Sequence, residues 1–371
     1  MKKLLTLALV LSSATAFATR SRITALGNSP HLVDVATVYV SPSDIMSLGD
    51  SLTIESGKTL AGTAIATTDT NTTTAEGLMI RSMGDSKFAL SLGHSDDSIF
   101  AMRSSAVSMN PAVTTIRQQN PLELSYGMKT GDMAVAGTLI YSNFQDKSTT
   151  APQKENSMGL KAGVTAGALK GSLAVIFADN WETGTAGTDY KGNTSIAATV
   201  GYDVMSDLYV YGAVSTGGYK AHVTTATTLD YTSMTVKVGV VSTIKKDATE
   251  FFYGAGLTYQ DQKEKGTAGS ERTIKDTHMP LIIGLEAEAN SWLVLRGSIT
   301  QNLLLVDSSK DETAPAAPTV DTNPGANSTA LAAGAGLKFN KISVDGSILA
   351  AGSQVLNSAN LLGQVGLTYA F

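Results

Sequence analysis

Apolar and polar residues alternate along most of the chain from residue 50 onward. In the stretch 193–204, Ile196 and Val200 fall on one face, whereas Ser195 and Thr199 fall on the other. Similar alternation is clearest in 233–240, 249–260 and 293–303. A period of two residues is typical of β-strands that present one apolar face. A soluble β-sandwich alternates in the same way, so alternation alone does not identify what the apolar face contacts.

The lengths of the strands and connections favour a barrel that crosses a membrane. Sixteen stretches are predicted as strands: 50–57, 75–83, 86–94, 121–129, 132–143, 157–166, 168–178, 193–204, 206–218, 229–243, 248–261, 277–289, 292–305, 328–340, 342–352 and 361–371. Several are about 10 to 14 residues long, which suits a tilted bilayer crossing better than a globular sheet. Tight joints alternate with longer polar loops at 144–156, 179–192, 219–228, 262–276 and 306–327, as in membrane barrels.

The predicted fold class is therefore all-β, a transmembrane antiparallel up-and-down β-barrel of about 16 strands. An even number places both chain ends on the same side of the membrane, next to the short turns. The pattern is weak in 58–74 and 94–120, where a hairpin could be hidden or lost, so 14 or 18 strands remain open. The barrel domain is predicted to occupy residues 50–371.

The first 49 residues are predicted to form two further segments. Residues 1–18 are read as a signal peptide, with the basic pair Lys2 and Lys3, an apolar stretch, and a small-x-small cleavage site that ends at Ala18. Cleavage would leave Thr19 as the mature N-terminus. Residues 19–49 are assigned to an N-terminal segment that is either periplasmic or plug-like. Ser41, Pro42 and Gly49 predict a short helix at 42–48, at the periplasmic side of the barrel.

Charged residues segregate to the polar faces of the predicted strands. Fourteen are assigned there: Glu55, Arg81, Lys87, Glu123, Lys161, Lys170, Asp203, Lys237, Glu250, Glu286, Glu288, Arg296, Lys338 and Asp345. Placing a Lys or Arg at the lipid midplane costs about 2–4 kcal/mol, and a packed soluble core would not hold so many charges. We therefore predict that these side chains line a water-filled lumen. Further acidic residues are assigned to outer loops: Asp96, Asp97, Asp146, Asp179, Glu182, Asp307, Asp311 and Glu312.

Composition excludes several other classes of function. The formal net charge is −5, and loss of the predicted signal would make it more negative, which argues against nucleic acid as a partner. The chain has no cysteine, which rules out disulfides and Cys-based metal sites. The histidines, at positions 31, 94, 222 and 278, carry no recognisable nucleophile motif and are predicted to be solvated. We predict no enzyme activity and no cofactor.

The C-terminus carries a resemblance to a known family. Gly363, Val365, Leu367, Tyr369 and Phe371 share one face, and the chain stops at the aromatic residue. This ending resembles the assembly signal of porin-like bacterial outer-membrane β-barrel proteins. The stretch from residue 23 to 43, with Ser-Pro-Ser in place of an Asn-Pro-Ala-type motif, is similar to the N-terminal region of such proteins.

The resemblance implies a Gram-negative outer-membrane protein that contacts outer-membrane lipid and the barrel assembly machinery, with Phe371, Tyr369 and Leu367 as the assembly signal. The expected function is a channel for passive diffusion of small hydrophilic solutes and ions. The alternatives are a transporter of hydrophobic compounds with an N-terminal plug, and a structural or adhesive barrel that acts through its outer loops. A homo-oligomer is compatible with the sequence.

Overall fold

The structure is a computed structural model. It describes residues 19–57, 74–109, 118–147, 152–182, 188–224, 227–266, 271–311, 328–351 and 362–371. The predicted signal peptide lies outside the described residues, as does Glu312. Within the described ranges, all sheet pairing is antiparallel and belongs to one sheet.

Seventeen strand segments form a closed ring. They are β1 Ser51–Gly57, β2 Thr74–Met83, β3 Ser86–Leu92, β4 Leu122–Thr130, β5 Met133–Asp146, β6 Gln153–Ala166, β7 Leu169–Glu182, β8 Asp189–Gly192, β9 Ser195–Met205, β10 Leu208–Thr224, β11 Thr227–Lys246, β12 Thr249–Lys265, β13 Glu271–Asn290, β14 Leu293–Asp311, β15 Ser328–Phe339, β16 Ile342–Ala351 and β17 Leu362–Ala370. Apart from β8 and β9, which do not pair with each other, each strand pairs with its neighbour in sequence, and β1 closes the ring by pairing with β17. Closure leaves no sheet edge with unpaired backbone groups inside the membrane.

The strand segments β8 and β9 share one position in the ring. Both pair with β7 on one side and with β10 on the other. At the break between them, the amide of Asn193 donates a hydrogen bond of 2.8 Å to the carbonyl of Gly218. The barrel therefore has 16 strands, and the predicted fold class and strand number are confirmed.

The outer surface of the barrel is apolar. On β11, Val236, Val238 and Val240 are exposed and point away from the interior, whereas Lys237 and Val241 lie on the opposite face. Exposed apolar side chains alternate in the same way on the other strands, as expected for a surface that contacts lipid.

Several strands continue beyond the predicted boundaries at the ends that carry the long connections. The range 262–276, predicted as a loop, is mostly strand, because β12 and β13 pair as far as Lys265 and Glu271. The strand β13 is 20 residues long. Polar residues in these extensions gave no alternation signal, yet continued pairing satisfies their backbone groups as well as water does.

Within the described ranges, four helical segments interrupt the all-β pattern. The α-helix α1 spans Arg20–Ala25, and two 3₁₀ helices span Val35–Tyr39 and Pro42–Met46. The last of these lies within the helix predicted at 42–48. A further helix, α2, spans Asp97–Met109 between β3 and β4, in a region where no clear alternation is present. Neither α-helix is long and apolar enough to cross a membrane, as judged over the described residues.

The N-terminal segment, residues 19–49, packs against the inner face of the barrel. The helix α1 contacts β14 to β17, and the second 3₁₀ helix contacts β3 to β6 on the opposite part of the ring. Apolar side chains add a further contact with the inner wall, because Ile23, Leu26 and Leu32 pack against Val241 of β11 and Phe252 of β12. The segment thus spans the interior, in a plug-like position.

Candidate functional site

The inner wall holds thirteen of the fourteen predicted lumen charges. By exposure they divide into a buried group (Glu123, Lys161, Arg296 and Asp345), a half-buried group (Glu55, Lys87, Lys170, Glu250, Glu286 and Lys338) and an exposed group (Asp203, Lys237 and Glu288). The buried and half-buried members mostly face the inserted segments rather than open water. Only part of the wall therefore contacts solvent.

Arg81 is the exception, because it lies on the outward face of β2. Its neighbours Leu78 and Ile80 face inward and pack against Val38 and other residues of the N-terminal segment. The guanidinium of Arg81 instead lies 5.1 Å from the ring centre of Phe371. The alternation was assigned to the wrong face here because the inner face of β2 is apolar where it contacts the N-terminal segment. For the same reason Glu76, which lies on the inner face of β2, was not predicted from the sequence.

Arg22 fastens α1 to the wall at β13. Its Nε lies 2.8 Å from Glu286 Oε2, and its Nη1 lies 3.3 Å from Asp34 Oδ2 within the N-terminal segment. Glu286 is shared with Arg296, whose Nε lies 2.6 Å away and which also pairs with Asp345. Arg296 is directly opposite Glu286 in the register of β13 and β14. This chain of ion pairs ties the N-terminal segment to three strands.

A second group of charges surrounds His94, at the start of the β3–β4 connection. The Nδ1 atom of His94 lies 2.9 Å from both Arg20 Nη2 and Glu76 Oε2. Its ring stacks on Tyr39 at a centroid distance of 3.6 Å. His94 is 2% exposed, so the prediction of a solvated histidine is wrong at this position.

Lys161 extends this group towards β4 and the N-terminus of α2. Its Nζ lies 2.8 Å from Asp96 and 3.3 Å from Glu123. Burial alone would raise the pKa of Asp96, but the ammonium of Lys161 holds that pKa below its ordinary value. Asp96, assigned from sequence to an outer loop, is buried inside the barrel instead.

The second 3₁₀ helix is fixed by Asp44. Its Oδ2 atom accepts a hydrogen bond of 2.7 Å from Lys170 Nζ on β7, and it also accepts one from the hydroxyl of Thr37. The hydroxyl groups of Ser43 and Thr165 on β6 lie 3.0 Å apart. Polar contacts therefore anchor both ends of the N-terminal segment to the inner wall.

Helix α2 is held against the inner wall by a buried arginine. Arg103 Nη2 lies 2.9 Å from Glu155 Oε1 and 2.6 Å from Asp179 Oδ1, and its side chain is 0% exposed. Asp179 was assigned to an outer loop from the sequence, but it lies on the inner face of β7 next to Ser157 of β6. Arg103 was missed from the sequence; its signal was a single basic residue in the Gly- and Pro-free stretch 97–109.

Aromatic residues cover α2 on the side of β8 to β11. The rings of Tyr190, Tyr219 and Tyr231 follow one another at centroid distances of 5.3 and 5.0 Å. Together with Trp181 they form a buried cluster that contains Ala106 of α2. The helix is thus both ion-paired and packed against the barrel wall.

Part of the inner wall remains open to solvent beside the inserted segments. Ser215 on β10 and Lys237 on β11 face inward and are exposed, and their neighbours Thr199, Thr235 and Gln260 are half-buried. A cavity of about 520 Å³ lies at the short-turn end, with a lining drawn from the N-terminal segment and from strands β4 to β10. Its polar lining residues are His31, Ser43, Asp44, Ser47, Lys129, Asp132, Thr165, Lys170, Asp203 and Tyr209.

The docking of the N-terminal segment should depend on pH through Asp34. Burial raises the pKa of Asp34 to about 7, against the opposing effect of Arg22. A carboxyl with a raised pKa in the docked state stabilises that state most below its ordinary pKa of about 4, and this contribution is lost as the pH rises through about 7. We expect faster hydrogen exchange in residues 20–46 at pH 8 than at pH 5, after correction for intrinsic rates. Asp34→Asn should remove most of this difference; an equal pH dependence in that variant would contradict the assignment.

The chain has weak similarity to known proteins. No protein-family model matches it, and no curated protein matches its sequence. Among solved structures, it is similar to the CymD monoaromatic hydrocarbon channel, with 10% identity, a TM-score of 0.46 and coverage of 95% of this chain and 97% of that one. A refined porin structure gives 11% identity, a TM-score of 0.42 and coverage of 86% and 99%. The toluene transporter TbuX from Ralstonia pickettii gives 10% identity, a TM-score of 0.43, and coverage of 95% of this chain and 98% of that one. At these identities and TM-scores, the similarity concerns the β-barrel fold alone and does not extend to the compounds that the other barrels transport.

Proposed function

We propose that this protein is an outer-membrane channel for passive diffusion of small hydrophilic solutes and ions. The observation that carries the proposal is the polar part of the inner wall that stays exposed to solvent, where Ser215 and Lys237 face inward. Lys237 has small neighbours across its strand pairs, Ala213 on β10 and Thr258 on β12, which leave space around its ammonium group. An exposed lysine on the inner face requires water inside the barrel.

The proposed path enters through the cavity at the short-turn end. Tyr209 and Asp203 line that cavity, and Tyr209 shares the inner face of β10 with Ala213 and Ser215. The path therefore follows β9 to β12, beside the N-terminal segment and α2. Because two inserted segments narrow the interior, we expect a smaller conductance than an unobstructed barrel of 16 strands would give.

A second candidate function is transport of hydrophobic compounds past a plug. The observation that favours it is the N-terminal segment, which spans the interior and buries Ile23, Leu26 and Leu32 against the wall. A hydrophobic transporter should show little ion conductance in planar bilayers, and cells that lack the protein should take up hexadecane or toluene more slowly. A diffusion channel should conduct ions and leave the uptake of such compounds unchanged.

Substituting Lys237 tests the channel proposal directly. We expect Lys237→Glu to raise the cation-to-anion permeability ratio about two- to five-fold, because one charge in a narrow path changes sign. Reversal potentials across a salt gradient measure this ratio. The matched control is Lys220→Glu on β10, where the lysine is exposed on the outward face and pairs with Asp230 at 3.4 Å. A conducting Lys237→Glu barrel with an unchanged ratio would place the path elsewhere.

We also infer that export and assembly follow the signals expected from the sequence. Leu367, Tyr369 and Phe371 are exposed on the outer side of the last strand. This position is suitable for recognition by an assembly factor before the barrel is surrounded by lipid. Removing Phe371 should therefore slow assembly more than it lowers the stability of the assembled barrel.

A further inference from the structure

Thr19 and Glu55 lie together at the start of the N-terminal segment. Thr19 is 0% exposed and packs on β17, where a side chain at Gly366 would come within 2.7 Å of Thr19 Cβ. Gly366 is directly opposite Glu55 in the register of β1 and β17. The amide of Arg20 donates a hydrogen bond of 2.5 Å to Glu55 Oε1. The backbone at Thr19 is thus seated beside a carboxylate on the inner wall.

Glu55 lies in an environment with too few positive charges. It is directly opposite Glu76 in the register of β1 and β2, and the two side chains are hydrogen-bonded to each other. Such a contact requires a proton on one of the two carboxyl groups, because two carboxylates in that arrangement repel. The guanidinium of Arg20 is occupied by Glu76 and His94, at 3.0 and 2.9 Å. Among the described residues, Glu55 forms no salt bridge with a cationic side chain.

The surrounding cluster shows the same imbalance. Its carboxylates are Glu55, Glu76, Asp96 and Glu123, and its basic groups are Arg20, His94 and Lys161. Even with His94 protonated, the carboxyl groups of the cluster outnumber its cations by one, so one carboxyl either keeps a proton or needs a further cation. The hydroxyl of Thr19 is also buried without a hydrogen-bond partner within the described part of the chain. Both observations are compatible with a further polar, positively charged group next to Thr19.

We propose that this group is the α-ammonium of Thr19, produced when a signal peptidase hydrolyses the Ala18–Thr19 bond, and that it pairs with Glu55 to fix the N-terminal segment inside the barrel. Hydrolysis adds one water across the peptide bond, so that a carboxylate leaves on Ala18 and a protonated amine stays on Thr19. Thr19 is extended, with ψ of 167°. Its nitrogen therefore lies about 3.6 Å from the nitrogen of Arg20 and within about 6 Å of the Glu55 carboxylate, before any adjustment.

The proposed pair makes docking of the segment dependent on export processing. A peptide nitrogen at position 19 carries no charge, so in the uncleaved chain Glu55 and Glu76 can lie together only by sharing a proton. Removing one partner of a buried ion pair is strongly destabilising. Cleavage thus supplies the last cation of the cluster, and the segment docks fully only in the mature protein. The proposal rests on processing after Ala18 and on no property of conduction.

Protection of the N-terminal segment from trypsin tests the proposal. Trypsin cleaves after Arg20 and Arg22, and both bonds lie in the docked helix α1. Protein isolated from outer membranes should begin at Thr19 and resist cleavage there. Glu55→Gln, assembled in the same cells, should be cleaved about ten-fold faster after these arginines, because the α-ammonium loses its partner. A mature chain that begins at any other residue would overturn the proposal.

Chemical removal of the amine completes the test. Periodate converts an N-terminal threonine to a glyoxylyl group, which removes the ammonium; the protein is treated unfolded and then refolded in detergent. The treated protein should be cleaved about ten-fold faster than untreated refolded protein, whereas treatment of Glu55→Gln should add less than about two-fold. Thr19→Ala is the matched control, because its amine resists periodate and its protection should not change. Equal cleavage rates with and without the amine would exclude the pair, whether or not the barrel conducts.

Discussion

Replacing Arg103 with methionine is expected to release helix α2 from the barrel wall while the barrel itself stays assembled. The guanidinium is fully buried between Glu155 and Asp179, so the substitution leaves two carboxylates without their cation. Breaking a buried ion pair by removing one partner costs about 3–5 kcal/mol. Because the strands retain their complete pairing, this cost should fall on the docking of α2 rather than on the ring of strands.

Hydrogen exchange measures the release of α2. We expect the amides of 98–109 to lose protection by on the order of 100-fold, while those of β5 to β7 change little. The control is the triple variant Arg103→Met, Glu155→Gln and Asp179→Asn, in which the two acids are neutral. Protection should recover in large part there, because no uncompensated charge remains. If Arg103→Met alone leaves the protection of α2 unchanged, the buried ion pairs do not hold the helix.

Replacing Arg296 with glutamate is expected to impair folding, in contrast to the effect on ion selectivity that its place on a charged lumen wall would imply. Arg296 is 5% exposed at its side chain and lies 2.6 Å from Glu286. It also pairs with Asp345, so the substitution would bring three carboxylates together with Arg22 as the nearest remaining cation. We expect the folding free energy to become less favourable by more than about 3–5 kcal/mol. The N-terminal segment should then leave the inner wall, or the barrel should fail to assemble.

The folded fraction on unboiled gels and the midpoint of urea unfolding measure this effect. Lys338→Glu is the matched control, since Lys338 also faces inward and lies 2.7 Å from Glu288. These two side chains are 27% and 35% exposed, so water screens the new repulsion. The folding free energy should therefore become less favourable by about 1 kcal/mol or less. Similar effects of the two substitutions would show that the Arg296 network is hydrated in the membrane.

Alternation was sufficient to predict the sheet because a barrel repeats one local rule. Each strand has one face on the apolar outer surface of the ring, so apolar residues recur at every second position regardless of the rest of the molecule. The rule was misleading only where the inner face is apolar as well. On β2, Leu78 and Ile80 contact the N-terminal segment, and the face that carries Arg81 was therefore assigned inward.

The interior could not be predicted because its contacts join residues far apart in the sequence. Arg22 meets Glu286, and Arg103 meets Asp179, only after the ring has closed. Helix α2 has no strong amphipathic pattern, since one side contacts the wall through a single arginine and another through small residues such as Ala106. A charged side chain in a strand indicates only that lipid is excluded; whether water or an ion-pair partner faces it depends on what else enters the barrel.

The sequence by itself determined the class of fold, the outer surface and, to within two, the number of strands. These follow from a two-residue period and from the cost of charge in lipid, which act on each strand separately. The tertiary structure alone decided that residues 19–49 and α2 occupy the interior and that Lys161 and Arg296 are buried. It also decided that Ser215 and Lys237 remain open to water. The physical reason is that the burial of an inward-facing side chain depends on which other segments of the chain enter the barrel beside it. Those segments are distant in sequence, so the local pattern of a strand does not encode them.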